Sequence, residues 1–302
     1  MTMAALVLEP PPPPRHVTVM RDETLSALRP SPGQVFVDCT LGGGGHTEAV
    51  LDAASDTRVI GIDRDPTALA AARERLARFG DRVALVRAPF RELVPRLADC
   101  GVSQVDGLIA DLGLSSLQLD DPERGMSFRA EGPLDMRMDP DAPETALDLM
   151  ARLSQDDLAD VIYQCGDERR SRRIARCIKQ ALLAGELSTT LDLRRAVVRA
   201  VGPRRVGGID PATRTFQALR IAVNRELDQL DGLLVAARDV VRPGGVAVLI
   251  SFHSLEDRLV KRAFLQREFW QRLTPKPLVP SEREQSENPR SRSAKLRAAR
   301  RL

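Results

Sequence analysis

The sequence predicts an α/β fold, a doubly wound parallel sheet interrupted by an inserted all-α domain. Short apolar runs alternate with helical patterns in the first part of the 302-residue chain, and the first of these runs leads into a glycine-rich loop. No convincing strand pattern occurs between residues 118 and 211, whereas a long apolar run follows at 244–250. Alternating strands and helices are typical of a parallel sheet, whose ligands bind beyond the carboxyl ends of its strands.

The first predicted strand, Val35–Asp38, runs into a loop of consecutive glycines, Gly42–Gly45, and then into a helix over Thr47–Ala54. Glycines at the carboxyl end of a buried strand allow the backbone to turn tightly and to approach a ligand closely. A second strand, Val59–Asp63, ends in a carboxylate nineteen residues after Gly44. That spacing is typical of an acid that binds ribose hydroxyls, so these two strands predict a nucleotide-like ligand.

The glycine loop distinguishes between two classes of cofactor. A dinucleotide fingerprint needs a third glycine, and Thr47 stands where it would lie, which weakens the interpretation as a nicotinamide site. Methyltransferases that use S-adenosylmethionine begin with a motif that resembles the one in this chain, Asp38-x-Thr40-x-Gly42-x-Gly44. An ordinary glycine-rich turn is the structural alternative, and the correctly spaced acid of the second strand argues against it.

Two further strands continue the alternation. A helix is predicted over Pro66–Phe79, because proline suits a first helical turn and an alanine-rich stretch follows it. The strands follow at Arg82–Val86 and Val105–Ala110. Phe90 and Asp111 come shortly after these strands, so both are expected at the carboxyl edge of the sheet.

The alternation stops after the fourth strand and resumes near the end of the chain. Helical patterns replace it at Gln155–Gln164, Glu168–Ala184, Leu191–Val201 and, as one long amphipathic helix, Thr213–Val240. A buried strand then returns at Gly244–Ile250. We therefore expect a cofactor-binding domain formed by residues 15–117 and 212–302, with residues 118–211 inserted as a helical substrate-recognition domain.

The charge, cysteine content and apolar pattern of the chain are typical of an enzyme in a reducing compartment. The formal net charge of +3 is too small to identify a partner, and the four cysteines form no C-x-x-C pair, so neither a metal site nor a disulfide is predicted. No apolar run is long enough to span a bilayer. Residues 1–14 contain a run of prolines and no signal-peptide pattern, which predicts a flexible leader. We expect a cytoplasmic protein that does not bind a membrane.

Two basic regions stand out against this weak average charge. The helix Glu168–Ala184 carries a face of arginines, Arg169, Arg172, Arg173 and Arg176. A solvated helix face and a phosphate-binding surface both explain such a stripe. The second region is a C-terminal segment without acids, in which the predicted phosphate ligands are Arg290, Arg292 and Lys295. Such a tail can bind phosphates without being ordered beforehand.

Eight segments of the chain, in order, resemble the bacterial ribosomal RNA small subunit methyltransferase H family, also called MraW. The segments are His16–Met20, Thr40–Thr47, Asp111–Asp120, Gly125–Phe128, Leu134–Met138, Thr213–Asn224, Ile250–Arg258 and Asn288–Arg297. The resemblance implies a Rossmann-like class I methyltransferase sheet and S-adenosylmethionine as methyl donor. It also implies N4-methylation of a cytidine in the decoding region of small-subunit (16S) ribosomal RNA. The implied partner is that RNA or the assembled small ribosomal subunit, and the oligomeric state is left open, a homodimer included.

The resemblance also assigns residues to the cofactor. Its binding residues correspond here to Gly44, Gly45, His46, Asp63, Phe90, Asp111 and Gln118. Their chemistry is suitable, because Asp63 can accept from both ribose hydroxyls, Phe90 offers an apolar face to adenine, and the loop amides can meet the methionine end. Taken alone, His46 would equally be a polar residue at a helix start and Phe90 a core residue.

The cytosine amine is a poor nucleophile because its lone pair is delocalised into the ring, so oxygen acceptors are needed beside the methyl group. Related amino-methyltransferases carry an Asp/Asn-Pro-Pro-aromatic motif after the fourth strand, and a different sequence occupies residues 111–116 here. We predict that Asp111, with Ser115 or a nearby backbone carbonyl, accepts from the amine.

Covalent and metal-assisted chemistry are not expected. Cys39 and Cys100 lie on structural segments, which argues against attack of a cysteine on the base. The three histidines lie far apart in sequence without matching cysteines or carboxylates, so no metal site is predicted. His253 follows the last predicted strand, where substrate binding and proton transfer are both open to it.

Two other function classes remain open from the residues alone. An NAD-dependent dehydrogenase would need the missing glycine and a residue for hydride transfer, and neither is visible. A non-catalytic RNA-binding ribosome assembly factor would keep the basic surfaces, but it would need neither the glycine loop nor Asp63. Binding of S-adenosylmethionine, and not of NAD, would separate these classes.

Overall fold

The computed structural model describes residues 18–203, 208 and 210–302. The predicted leader, residues 1–14, and the start of the His16–Met20 segment lie outside the described residues. Within the described part of the chain, no helix is both long enough and apolar enough to cross a membrane.

Seven strands form one sheet. They are β1 Val35–Asp38, β2 Arg58–Asp63, β3 Val83–Arg87, β4 Val105–Asp111, β5 Val241–Ser251, β6 Trp270–Arg272 and β7 Lys295–Arg301. Their order is β3-β2-β1-β4-β5-β7-β6; β1 to β5 pair in parallel, whereas β7 is antiparallel to both β5 and β6. The doubly wound α/β fold is therefore confirmed, and its strand order reverses between β1 and β4, where such sheets bind ligands.

Helices cover both faces of the sheet and form the insertion. They are α1 Arg21–Leu28, α2 Gly45–Ala53, α3 Pro66–Leu76, α4 Leu93–Asp99, α5 Ser116–Asp120, α6 Ala146–Arg152, α7 Gln155–Gly166, α8 Ser171–Leu183, α9 Thr190–Val201, α10 Thr213–Asn224, α11 Glu226–Val240, α12 Ser254–Phe264 and α13 Glu282–Glu287. Alternate strand side chains serve two cores: Val37 packs with α4, α11 and α12, and Phe36 packs with α1, α2 and α3. These strands are thus apolar throughout because both of their faces are buried.

The predicted elements of the first half are confirmed with small shifts at their ends. The clearest local signal lies at α3, where Pro66 is the first helical residue and the side chain of Asp65 accepts from the amide of Thr67 at 3.0 Å. This cap satisfies one of the free amides of the first turn, which is why the sequence predicted the start of the helix correctly.

The inserted helices have a core of their own. Ile162 of α7 and Ile174 of α8 pack there with Phe216 and Leu219 of α10. α10 also makes its main contacts with α7. The core of the inserted helices therefore continues beyond residue 211 into α10.

The prediction of one continuous helix over Thr213–Val240 is wrong. The chain breaks at Arg225, whose backbone is left-handed with a φ of 50°, and α10 and α11 lie on either side. A buried ion pair holds the break, because Arg220 donates to both carboxylate oxygens of Glu226 at 2.8 Å. No glycine or proline marks this position, so tertiary contacts override a helical periodicity that continues through it.

The C-terminal basic segment, in which the sequence predicted no strand, is ordered. Pro289–Ser293 form a short 3₁₀ helix, and Lys295–Arg301 form β7, which lies between β5 and β6 in the sheet. Arg297 is only 7% exposed and donates to both carboxylate oxygens of Asp257, at 2.7 and 3.2 Å. Leu296 and Ala298 are buried between the cations. The strand escaped prediction because its charges suggest an exposed segment, whereas the carboxylate that neutralises Arg297 lies on a distant helix.

Candidate active site

A cavity of about 510 Å³ lies at the carboxyl ends of β1, β2 and β4. The glycine loop, the ends of these strands, the segment after β4 and the C-terminal residues 287–290 form its walls. Its polar lining includes the hydroxyl residues Thr18, Thr40, Ser115 and Ser116 and the charged, imidazole and amide side chains of His46, Asp63, Arg64, Asp111, Gln118, Asp120, Arg129, Gln229, Glu287, Asn288 and Arg290. The structure therefore brings together the predicted cofactor residues, with Gly44 alone outside the lining.

Asp38 organises the glycine loop from the end of β1. It is fully buried, and its carboxylate accepts from the amide of Thr40 at 3.2 Å and from the hydroxyl of Thr47 at 2.8 Å. Burial raises the pKa of Asp38, an effect that nearby His46 and the Thr47 hydrogen bond oppose. Thr40, before the glycines, and Thr47, in the first turn of α2, are thus tied to one carboxylate.

Gly44 and Gly45 are required as glycines by their surroundings. Gly44 has a φ of 79°, and a Cβ there would lie 3.0 Å from the side chain of Leu76. A Cβ on Gly45 would lie 1.9 Å from the hydroxyl oxygen of Thr18, which also lines the cavity. The loop therefore packs tightly beneath the site, and contacts of its amides with a cofactor stay a prediction.

Asp63 presents its carboxylate to the cavity from the end of β2. One oxygen accepts from the amide of Gly42 at 2.8 Å and the other from the amide of Asp65 at 2.9 Å. Burial raises the pKa of Asp63 to about 6, although both backbone hydrogen bonds oppose that rise. Each carboxylate oxygen has a second lone pair, so Asp63 is oriented by the fold and retains the capacity to accept from a diol.

The side chains of His46 and Asp111 lie close together, and both have buried polar atoms without hydrogen-bond partners among the described residues. His46 is 5% exposed, and neither of its ring nitrogens has a hydrogen-bond partner among the described residues. Its Nε2 lies 3.6 Å from Oδ2 of Asp111, whose other oxygen, Oδ1, is likewise buried and unpartnered. Buried polar groups are nearly always satisfied, and both residues line the cavity. The pair therefore indicates a ligand with polar groups, which suits the amino-acid end of S-adenosylmethionine.

Phe90 follows β3 at the start of a short 3₁₀ helix, Phe90–Glu92. It is half-buried, packs against the core beneath the sheet and lines the cavity. Across from it, Gln229 of α11 also lines the cavity and accepts from the amide of Arg91 at 3.4 Å. An aromatic face beside the end of β2 suits an adenine whose ribose lies at Asp63.

Ser115 and Gln118 have a structural role that the sequence did not show. They form a capping box at α5, in which the hydroxyl of Ser115 accepts from the amide of Gln118 and the side chain of Gln118 accepts from the amide of Ser115. Gln118 also donates to Asp65 at 2.8 Å, and Arg124 lies 3.0 Å from the same carboxylate. This buried network holds the segment after β4 over the cavity, while the predicted cofactor and catalytic roles of both residues stay predictions.

The predicted basic ligands are widely separated in the structure. Only Arg290 lines the cavity. The stripe arginines, Arg172, Arg173 and Arg176 of α8 and Arg169 just before it, are exposed on the helical domain, which agrees with either explanation of that stripe. Arg292 is exposed beside β7, and Lys295 lies on that strand with its amine 3.7 Å from Asp257.

One group of described residues could hold a metal ion by distance alone: Glu226, His253 and Glu256. Arg220 already donates to both oxygens of Glu226, so a cation is supplied by the chain itself. His253 accepts from the amide of Glu256 at 3.4 Å as the cap of α12, and it does not line the cavity. The cluster is an ion-pair network, and proton transfer by His253 has no geometric support.

Sequence reasoning missed the contribution of the segments that flank the insertion. Arg129, Asp120 and Met138 line the cavity, as does Arg64, which directly follows Asp63. Two of these positions lie within segments that carry the family resemblance, and that was the only signal pointing to them. No local sequence pattern predicts that a residue of the insertion lies at the edge of the sheet.

The chain is similar to known proteins over nearly its whole length. The model of the MraW methylase family matches residues 14–302. A protein named ribosomal RNA small subunit methyltransferase H from Sorangium cellulosum is 65% identical over 298 residues, which cover 97% of this chain and 94% of the relative. A protein of the same name from Prochlorococcus marinus is 53% identical, and the match covers 83% of this chain and 82% of that protein. Another from Granulibacter bethesdensis is 49% identical, and the match covers 82% of this chain and 73% of that protein.

A solved structure described as a rRNA-methylase from Clostridium thermocellum is 12% identical, with a TM-score of 0.46, and the match covers 95% of this chain and 99% of that one. That likeness is too distant to carry an argument, whereas the family match extends over nearly the whole chain. It includes the glycine loop, both strand-end acids and the C-terminal wall of the cavity. The chain therefore belongs to the MraW methylase family, which confirms the predicted methyltransferase class, the Rossmann-like fold and S-adenosylmethionine as the methyl donor.

Proposed function

We propose that this protein transfers a methyl group to the N4 amine of a cytidine in the decoding region of 16S ribosomal RNA. The names of the relatives support ribosomal RNA of the small subunit as the substrate class. The observation that carries the site assignment is the buried, unpartnered Oδ1 of Asp111 beside His46, at the edge of the sheet where the methyl donor is expected.

The chemistry of an amine explains why a carboxylate is suitable. S-adenosylmethionine supplies a methyl group bonded to a positively charged sulfur. As the cytosine nitrogen bonds to the methyl carbon, the carbon–sulfur bond breaks, and the nitrogen gains positive charge. Oδ1 of Asp111 accepts from the amine during this step and takes the proton that the nitrogen then loses. A fixed carboxylate in a partly buried cavity stabilises that developing charge more strongly than water does.

Other residues of the lining divide between the two ligands. Asp63 and Phe90 are suited to the ribose and the adenine of the cofactor, while His46 is suited to the methionine end. Ser115 keeps a hydroxyl hydrogen that is free to donate, because its oxygen acts only as an acceptor in the capping box. We assign it a position beside the cytosine ring. The lack of partners at Asp111 and His46 also argues against a non-catalytic assembly factor, since such a protein would have no need for them.

The proposal is tested by methylation in vitro. Small ribosomal subunits from cells that lack this protein are incubated with the purified chain and labelled S-adenosylmethionine, and the digested RNA is analysed by mass spectrometry. We expect one N4-methylcytidine in the decoding region. The Asp111→Asn variant should lose the product, whereas the matched control Asp99→Asn, at an exposed residue on α4, should retain it. Methyl transfer to a ring carbon or to a ribose hydroxyl would overturn the proposal.

A further inference from the structure

The cavity has acids at its inner end and arginines at its mouth. Asp63 and Asp111 lie at strand ends, where Asp111 is 20% exposed. Arg129 and Arg290 line the same cavity and are exposed. In the part of the chain that the structure describes, the side chain of Arg129 has no ion-pair or hydrogen-bond partner, whereas Arg290 contacts Asp120. This polarity suits a ligand with a cationic centre inside and an anionic group outside.

We propose that Arg129 and Arg290 bind RNA phosphates that flank the nucleotide in the cavity, and that Asp120 occupies Arg290 until a phosphate replaces it. The inference rests on the proposed function, because it takes RNA as the substrate. It adds two residues that lie outside the basic regions of the sequence, Arg129 and Asp120. Arg129 is expected to strengthen RNA binding, and Asp120 is expected to weaken it.

The position of the Asp120–Arg290 pair supports an exchange. Asp120 ends α5, after β4, while Arg290 follows α13, 170 positions further along the chain. The pair therefore bridges two walls of the cavity. Asp120 is 57% and Arg290 38% exposed, and an ion pair between exposed groups is weak enough to be exchanged.

The chemistry of the exchange is balanced. A phosphate diester carries one negative charge, as does the carboxylate of Asp120, so Arg290 keeps an anionic partner throughout. A guanidinium binds phosphate oxygens with two parallel hydrogen bonds, and this geometry matches a phosphate as well as a carboxylate. Repulsion between the arriving phosphate and Asp120 moves the carboxylate out of the mouth.

Other cations of the chain are less suitable for this role. α8 packs on α6, α7 and α9, and none of its residues lines the cavity. Lys179 of α8 donates to the carbonyls of Met150 and Ala151, at 2.6 and 3.0 Å, and so caps α6. Arg64 lines the cavity but donates to the carbonyl of Asn224 at 3.2 Å and sits among buried carboxylates. Arg129 and Arg290 are therefore the cations of the cavity lining that are best placed to meet the phosphate backbone of an approaching RNA.

Binding of small ribosomal subunits from cells that lack this protein, measured against salt concentration, tests the inference. Arg129→Gln and Arg290→Gln should each weaken binding and lower the slope of log affinity against log salt by about 0.7 to 0.9. Asp120→Asn should tighten binding by about two- to fivefold, the gain expected from removing an exposed competitor. Arg267→Gln, at an exposed arginine outside the cavity, is the matched control and should bind as the unaltered protein does.

The sign of the Asp120→Asn effect decides between exchange and a structural role. If the pair only braced the two walls, Asp120→Asn and Arg290→Gln would weaken binding alike, and that result would overturn the inference, as would an Asp120→Asn variant with unchanged affinity. Thermal unfolding of each variant identifies a folding defect. If a variant of the Asp120–Arg290 pair is unstable, Arg129→Gln still tests phosphate binding at the mouth, because it breaks no ion pair among the described residues. If N4 is methylated but binding is unchanged in all variants, the inference is refuted and the proposed function stands. If the variants show the expected binding effects but another atom is methylated, only the proposed function is refuted.

Discussion

At the scale of single residues, the proposed ribose ligand Asp63 predicts that cofactor binding depends on pH. Burial raises the pKa of Asp63 to about 6 in the free protein, and only the ionised form could accept from both ribose hydroxyls. Affinity should therefore be full above about pH 6 and fall below it, approaching about tenfold for each further pH unit, because binding must then remove a proton. Calorimetry with S-adenosylmethionine between pH 5 and pH 8 measures this directly.

The control for this prediction is Asp63→Ala. Loss of the acceptor should weaken binding at pH 7.5 by about 1–3 kcal/mol and also remove the dependence on pH. A dissociation constant that the substitution leaves unchanged would remove Asp63 from the cofactor site. A pH dependence that persists in the variant would assign the titration to another group of the cavity.

Asp111 is expected to act on the chemical step. Asp111→Asn keeps the size of the side chain but replaces a charged acceptor by a neutral amide, which stabilises the developing charge on the amine less and cannot take its proton. Single-turnover methyl transfer at saturating cofactor should slow by about 100-fold. Equal rates for the variant and the unaltered protein under these conditions would refute the role. The cofactor dissociation constant, measured in parallel, separates loss of chemistry from loss of binding.

At the scale of elements, the structure shows which parts of the fold a sequence reveals. α3 was predicted because Asp65 and Pro66 mark its start locally, and the strand-end acids were predicted because apolar runs locate the strands. The break at Arg225 and the strand β7 were missed for a shared reason. Each depends on a buried ion pair whose partner could not be identified from sequence, Glu226 in the first case and Asp257 in the second.

The same limit applies to the site. The inner residues follow from strand ends, so the sequence predicted Asp63 and Asp111. The mouth is built from segments that flank the insertion and from the C-terminal wall, and their approach depends on long-range contacts. Hence Asp120 and Arg129 were not predicted. Arg290 was predicted as a phosphate ligand of the C-terminal basic segment, and not as part of a cavity wall.

β7 permits a stability test at this scale. Arg297→Ala leaves the carboxylate of Asp257, which is 15% exposed, with only the more distant Lys295 as a partner. We expect the free energy of unfolding to fall by about 2–4 kcal/mol, less than for a completely buried pair because a second cation remains. The next arginine on the strand, Arg300, is exposed, and Arg300→Ala should change stability by no more than about 0.5 kcal/mol. Urea unfolding measures both, and equal small effects would show that the segment is not held in the sheet.

At the scale of the whole molecule, hydrogen bonds of Asn224 connect the helical insertion to the lining of the cavity. The side chain of Asn224, at the end of α10, donates to the carbonyl of Met136 and accepts from the amide of Met138, both at 2.7 Å. The carbonyl of Asn224 in turn accepts from Arg64, the neighbour of Asp63, and both Arg64 and Met138 line the cavity. The helical domain is thus anchored at the lining of the cavity, while α8 packs away from the cavity against α6, α7 and α9.

This arrangement gives a different expectation for the arginine stripe of α8 than for the mouth of the cavity. Arg172, Arg173 and Arg176 are exposed, and the proposed substrate, a ribosomal subunit, would be large enough to extend beyond the cavity and reach them. Replacing all three with Gln should weaken subunit binding and lower the salt slope by about 0.7 to 0.9 for each phosphate that an arginine no longer neutralises. Cofactor affinity and the rate of methyl transfer at saturating subunit should not change, because no residue of α8 lines the cavity. If affinity and salt slope both match those of the unaltered protein, the stripe is a solvated helix face, and the arginines at the mouth remain the candidates for holding the RNA.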